Sequence, residues 1–208
     1  LSAYIGKTKT GEGQFIDASL FDSALAFSIW DTAQYWGTGV EPYKLGTANH
    51  MSAPYQAMKA SDGYFVMGAT NQKLWKLLCD KIERPELFED ARFKTNPLRL
   101  ANRLELAAEL EKSFIKKTSD EWVDALLAAG IPAGPINTYP EAFDSEHGRH
   151  RKMRMEIDHP IEGKVPNIGF AVKMNGTPQQ VYRHPPLLGE HTSELLAELG
   201  IAGEELKS

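Results

Sequence analysis

The side chains able to do covalent or proton chemistry are few and scattered. Asp17, Asp22 and Asp31 fall in the first apolar stretch, and an aspartate can serve as a nucleophile or an acid/base group. Asp17 and Asp22 are five positions apart, which does not align them on one helical face. The simpler reading makes Asp17 a helix cap and leaves the other two solvated or paired. His147 and His150 stand at i,i+3, and His159 follows Asp158. A metal centre needs three or four ligands in a fitting shell. No Cys or Glu pattern completes one, and Arg149, Arg151, Lys152 and Arg154 would repel a divalent cation. That basic cluster suits a phosphate group or, alternatively, a solvated face paired with nearby acids. Cys79, the single cysteine, follows Trp75 by four residues and reads as a buried small hydrophobe rather than a nucleophile. Neither a glycine-rich phosphate loop nor a Gly-x-Ser-x-Gly elbow occurs.

The segment Asn49-His50-Met51-Ser52-Ala53-Pro54-Tyr55 has a different character. It is a polar loop ahead of a hairpin signal, with a His, a Ser and an aromatic, and loops on rigid scaffolds carry binding residues. Asn71 and Gln72 stand where a helix begins, and free amides there favour anions. Asn49, His50, Met51, Ser52, Tyr55, Asn71 and Gln72 are therefore the candidate site residues. The competing reading leaves Asn71 as a cap and Tyr55 as core.

The elements that must position them follow from pattern and punctuation. Leu1-Ser2-Ala3-Tyr4-Ile5 reads as the end of a helix stopped by Gly6, and the lack of a leading Met gives the expectation of a truncated or fragmentary chain, although a processed end has the same look. Asp17 or Ser19 caps a long helix to about Trp36, apolar on most faces and so in need of a covering partner. Residues 37–54 are linker and loop. Tyr55–Ala60 and Tyr64–Ala69 flank Ser61-Asp62-Gly63, a hairpin whose turn calls for positive φ. Helices follow from Asn71 to about Ile82 and from about Ala101 to Lys116. A third opens on the capping box Thr118-Ser119-Asp120-Glu121 and ends at Gly130. Ala133–Asn137 is extended, residues 140–150 form a short helix and loop, strands fall near Met155–Ile157 and Ile168–Val172, and His191–Gly200 is a last helix. The expected architecture is α/β: a small α+β domain at 51–165, with 1–50 and 166–208 belonging to a second, incomplete layer.

Charge narrows the partners. With 23 Lys+Arg against 28 Asp+Glu the net charge is -5, unlike the basic face of a nucleic-acid binder. One cysteine allows no intrachain disulfide and suits a reducing cytosol. No apolar run reaches the roughly 18 residues of a membrane span.

Several short segments recur in a recognisable order: Gly13-Gln14-Phe15-Ile16-Asp17-Ala18-Ser19, Ala53-Pro54-Tyr55, Asp62-Gly63, Trp75-Lys76-Leu77-Leu78-Cys79, Arg92-Phe93, Ala129-Gly130-Ile131-Pro132-Ala133-Gly134-Pro135 and Pro185-Pro186-Leu187-Leu188-Gly189-Glu190-His191-Thr192. Together, over about residues 3–200, they resemble the C-terminal portion of the class III CoA-transferases, the formyl-CoA transferase, carnitine CoA-transferase and bile-acid-inducible F type. The resemblance implies an interlocked homodimer, a Rossmann-like large domain built from both chain ends, and a small domain between them. It implies coenzyme A and acyl-CoA as substrates, carboxylic acids as acceptors, and an aspartyl-CoA intermediate. The family's nucleophilic Asp falls upstream of Leu1, so no catalytic residue is carried onto Asp17 or Asp22, and the chain alone is expected to be inactive. The loop that shields the intermediate corresponds to about Gly46–Tyr55. Its stretch Ala48–Pro54 lacks the glycines of formyl-CoA transferase, which turns the expectation toward carnitine-like or dicarboxylic acids. Two alternatives stay open: a non-catalytic ligand- or protein-binding module, and the acyl-CoA racemase branch, which tends to carry Glu where this chain has Asn71.

Overall fold

The computed structural model describes residues 1–201 of the 208; the last seven residues of the expected 166–208 segment lie outside the described residues. Helices and small sheets are mixed, as the alternating patterns imply. The chain divides into two compact units, Leu1–Gly134 and a second beginning at Pro135.

The first unit opens with α1 (Ser2–Thr10), α2 (Leu20–Phe27) and α3 (Ile29–Thr38). Gly6 does not stop α1. The helix runs through it to Gly11, whose φ of 78° forms the left-handed cap. The long helix expected to Trp36 is broken at Ser28, where the hydroxyl donates to the Leu25 carbonyl (2.8 Å) and competes with the helical ladder. Ser19, not Asp17, is the cap of α2, accepting from the Asp22 N–H.

Hairpin strands β1 (Tyr55–Lys59) and β2 (Tyr64–Gly68) pair antiparallel, with Ala57 opposite Val66. Their turn closes through Ala60 N–H to the Gly63 carbonyl (2.8 Å) without positive φ at Gly63. The longer loop relieves the requirement of a two-residue turn. Asp62 has another use, accepting from the Ser119 N–H at 2.8 Å. Then come α4 (Gln72–Lys81), α5 (Glu86–Glu89), α6 (Asn96–Ala101), α7 (Arg103–Phe114) and α8 (Ser119–Ala128). The Thr118/Glu121 capping box is formed and Gly130, at φ 76°, follows α8. Strand β3 (Ala133–Pro135) completes the sheet order β1-β2-β3. Packing of α7 on β1 and α8 on β2 encloses Met58, Phe65, Met67, Trp75, Leu110, Phe114 and Leu126. Phe114 sits edge-on to both Phe65 (5.1 Å) and Trp122 (5.2 Å), and its carbonyl accepts from the indole N–H (2.7 Å). Residues 1–52, by contrast, contribute no buried side chain. Phe15, Leu20, Phe27, Trp30 and Trp36 are largely exposed.

The second unit holds α9 (Tyr139–Asp144), α10 (Glu146–His150), the hairpin of β4 (Arg154–His159) and β5 (Gly163–Ile168), and α11 (Thr192–Glu198). The second hairpin strand lies earlier than the expected Ile168–Val172. The His159 ring nitrogen Nδ1 accepts from the Ile161 and Glu162 N–H groups, which closes a tight turn and pairs the very next residues. Gly169 ends the strand against the Lys152 carbonyl, where any Cβ would fall at 2.0 Å.

The Phe114 cluster generates a direct contrast. Phe114→Ala is expected to lower unfolding stability by about 3–5 kcal/mol, whereas Leu104→Ala, at an exposed position, should stay within about 0.5 kcal/mol. Urea unfolding of both variants checks it.

Candidate active-site loop

The loop before β1 is held at nearly every residue. The Thr47 hydroxyl accepts from the Ala57 N–H (3.1 Å), and the Asn49 N–H reaches the Tyr55 carbonyl (2.9 Å). Asn49 Oδ1 accepts from Met51 N–H (2.8 Å) and Ser52 N–H (3.1 Å), an Asx turn that spends its side chain on the backbone. Asn96, the first residue of α6, spans the loop from the other side. Its Oδ1 accepts from Ala53 N–H (3.1 Å) and its Nδ2 donates to the Met51 carbonyl (2.9 Å). The Pro54 carbonyl accepts from Ala69 N–H (2.8 Å), tying the loop to the end of β2.

Arg99, one turn after Asn96 on α6, is fully buried. Its Nε donates to the Ala53 carbonyl (2.6 Å), and its Nη1 to the Phe93 carbonyl (3.0 Å) and Gln72 Oε1 (3.3 Å). The guanidinium lies over the Trp75 ring at 5.2 Å, a favourable cation–π placement. All these bonded partners are neutral oxygens, Nη2 has no hydrogen-bond partner, and burial pushes the guanidinium below its ordinary pKa.

This arrangement decides how the candidate residues are presented. His50 is mostly covered. Its Nδ1 lies 3.5 Å from Asp31 Oδ1 on α3, and its buried Nε2 has no partner. Met51 is exposed at 55%. Ser52 is half-buried. Tyr55 is not core; it is 43% exposed, its ring over Gly68, where a Cβ would come within 3.2 Å of Cδ2. Asn71 caps α4 by accepting from Leu74 N–H (2.9 Å). Gln72 turns inward, donating from Nε2 to the Lys94 carbonyl (2.9 Å) while Oε1 accepts from Arg99. The loop and Gln72 are thus joined through one buried side chain. A cleft of about 520 Å³ is lined by Ala48 and Gln56, which flank the loop, with Tyr43, Lys44, Arg103 and Glu105, and by none of the candidate residues.

Asp17 and Asp22 are exposed. Arg149 and Arg151 donate to the Asp144 and Ala171 carbonyls within the second unit. Among the described residues no three His, Cys, Asp or Glu side chains group to hold a metal, and no helix is long and apolar enough to cross a membrane.

The profile of CoA-transferase family III matches residues 1–192. The chain belongs to CoA-transferase family III. Human succinyl-CoA:glutarate CoA-transferase is similar at 37% identity over 199 residues, covering 96% of this chain and 45% of that relative. The succinyl-CoA:mesaconate CoA-transferase of Haloarcula marismortui is 33% identical, covering 97% of this chain and 50% of its own length. A solved CAIB/BAIF family protein from Brucella suis superposes with a TM-score of 0.78 at 34% identity, over 95% of this chain and 51% of that one. The chain therefore spans about half the length of these family III relatives.

Within this family III chain, Asp31, Asn96 and Arg99 were not among the candidate site residues. Asp31, expected to be solvated or paired, is the paired one, facing His50. The signal for the other two was a polar pair at i,i+3 in Asn96-Pro97-Leu98-Arg99-Leu100, where the inward face of a helix would ordinarily be apolar. Cys79 is the buried residue expected, and desolvation pushes its thiol from 9.0 up to about 12. Because the native thiol keeps its proton after the unfolded one has lost it, this group lowers stability as pH rises from about 9 toward about 12. Alkylation by iodoacetamide at pH 8 should be at least ~100-fold slower in the native protein than in denaturant, read by mass spectrometry.

Proposed function

We propose that the chain is the C-terminal portion of a CoA-transferase that moves CoA between carboxylic acids through an aspartyl-CoA intermediate, with the nucleophilic Asp outside residues 1–208. The observation that carries this reading is the family match over residues 1–192. The acids are dicarboxylic: the loop lacks a glycine run, and the relatives named for glutarate and mesaconate transfer support it. In this reading the loop Asn49–Tyr55 shields a reactive thioester from water. His50, paired with Asp31, lies in this loop, and Met51 and Tyr55 are its exposed side chains toward an incoming acid.

The same proposal assigns residues 51–165 to the small domain and 1–50 and 166–208 to the large one. The exposed apolar side chains of residues 1–40 support a covering partner, either the remaining half of the protein or the second subunit of a homodimer. They equally favour a second reading, a non-catalytic module that uses this face for binding. Cytosolic placement rests on the single Cys79.

The test is to incubate the whole protein with succinyl-CoA and ¹³C-labelled glutarate in deuterated water and analyse the acyl-CoA products by mass spectrometry. Labelled glutaryl-CoA with α-protons retained is expected. Deuterium at the α-carbon without label transfer would establish the racemase branch instead, and neither change would leave the binding module. The 208-residue chain by itself should transfer no label; transfer by it would place the nucleophile within residues 1–208.

A further inference from the structure

A guanidinium buried against neutral oxygens is an expensive way to fill a core, since an apolar side chain of similar volume avoids the desolvation. Arg99 is nonetheless fully buried, with Nη2 unpartnered. Its donors go to three separate stretches of chain: Ala53 in the loop, Phe93 before α6, and Gln72 at the start of α4. Asn96, on the same short helix, takes the two loop groups that Arg99 leaves, the Ala53 N–H and the Met51 carbonyl. Between them the two side chains hold both polar backbone groups of Ala53 and the carbonyl of Met51. The loop's internal bonds, from Asn49 to Met51 and Ser52, fix its curvature but not its place on the scaffold.

We propose that Asn96 and Arg99 are positioning residues: a two-point clamp on α6 that fixes the loop carrying His50 and Tyr55 and couples it, through Gln72, to the N-terminus of α4. The role in catalysis rests on the CoA-transfer reading; the clamp itself does not. A planar guanidinium reaches three acceptors in one plane, which a lysine ammonium on a flexible stem cannot reproduce. The clamp fixes loop geometry before substrate arrives, so its loss lowers turnover through a misplaced loop rather than through weaker binding of acyl-CoA.

Amide hydrogen exchange on the purified protein, with turnover measured in parallel, tests this with three variants. Asn96→Ala and Arg99→Lys remove parts of the clamp. Asn102→Ala removes a comparable amide, which donates to the Arg92 and Leu98 carbonyls and does not touch the loop. The expected result is exchange ~10-fold faster or more at residues 49–56 in the first two variants, with β2 and α8 within ~2-fold of the parent and no loop change in Asn102→Ala. In the whole protein, Asn96→Ala should lower kcat for succinyl-CoA and glutarate by ~10-fold or more while KM for succinyl-CoA stays within ~2-fold. Faster exchange spread evenly over β2, α8 and the loop would overturn the proposal, showing a core residue only. So would unchanged loop exchange, or a loosened loop with parental kcat. Should Arg99→Lys fail to fold, Asn96→Ala, whose side chain is only partly buried, carries the same contrast. If the parent transfers no CoA, the functional reading fails, and the exchange contrast still decides the clamp.

Discussion

The buried guanidinium of Arg99 is the interaction on which the rest of the site depends. Its hydrogen bonds draw the loop, the segment before α6 and the start of α4 to one point inside the first unit. An unsatisfied buried carbonyl is costly, so the Ala53 and Phe93 carbonyls hold the arginine as firmly as it holds them. The Trp75 ring beneath the guanidinium belongs to the same core as Leu78 and Cys79. The candidate loop is therefore tied to a packed interior, which is how a segment without regular structure keeps one geometry.

The two ends of the first unit are built on opposite principles. From β1 to β3, apolar side chains interlock around Phe114, Phe65 and Trp122, and polar groups at the ends are capped by Asn71, Thr95 and Thr118. Residues 1–52 form three helices but leave Phe15, Leu20, Trp30 and Trp36 largely exposed. A surface of that kind has the character of an interaction face. Asp31, which lies beside His50, is carried on one of these same helices. The electrostatics of the candidate loop are thus coupled to the placement of α3.

Local chemistry was legible wherever cause and effect lie close in sequence. Asn71 caps α4, Thr118 and Glu121 form their box, Gly130 follows α8, and the hairpin forms around Asp62-Gly63. Each depends on a handful of neighbouring residues, which is the range over which propensity and turn chemistry operate. The errors were local as well. Gly6 stays inside a helix, because a single glycine weakens a helix without ending it. The first long apolar stretch divides at Ser28 into α2 and α3, a division that apolar periodicity does not register.

The amino-acid sequence by itself determined the family, through the order of its short segments, together with the α/β class and the local caps. Only the tertiary structure decided what the candidate loop rests on. Besides the Pro54–Ala69 tie to β2, the bonds that place it join Ala53 to Asn96 and to Arg99 across 43 and 46 residues, and Gln72 to Arg99 across 27. At such separations nothing local links the partners; the path of the chain through the core brings them together. His50, in the linker after α3, likewise meets Asp31 of α3 through the path of the chain and not through neighbouring sequence. A lone arginine in a short helix carries no sign in the sequence of where its donors will point, because that direction is set by the packing of Trp75, Phe93 and the β-hairpin around it.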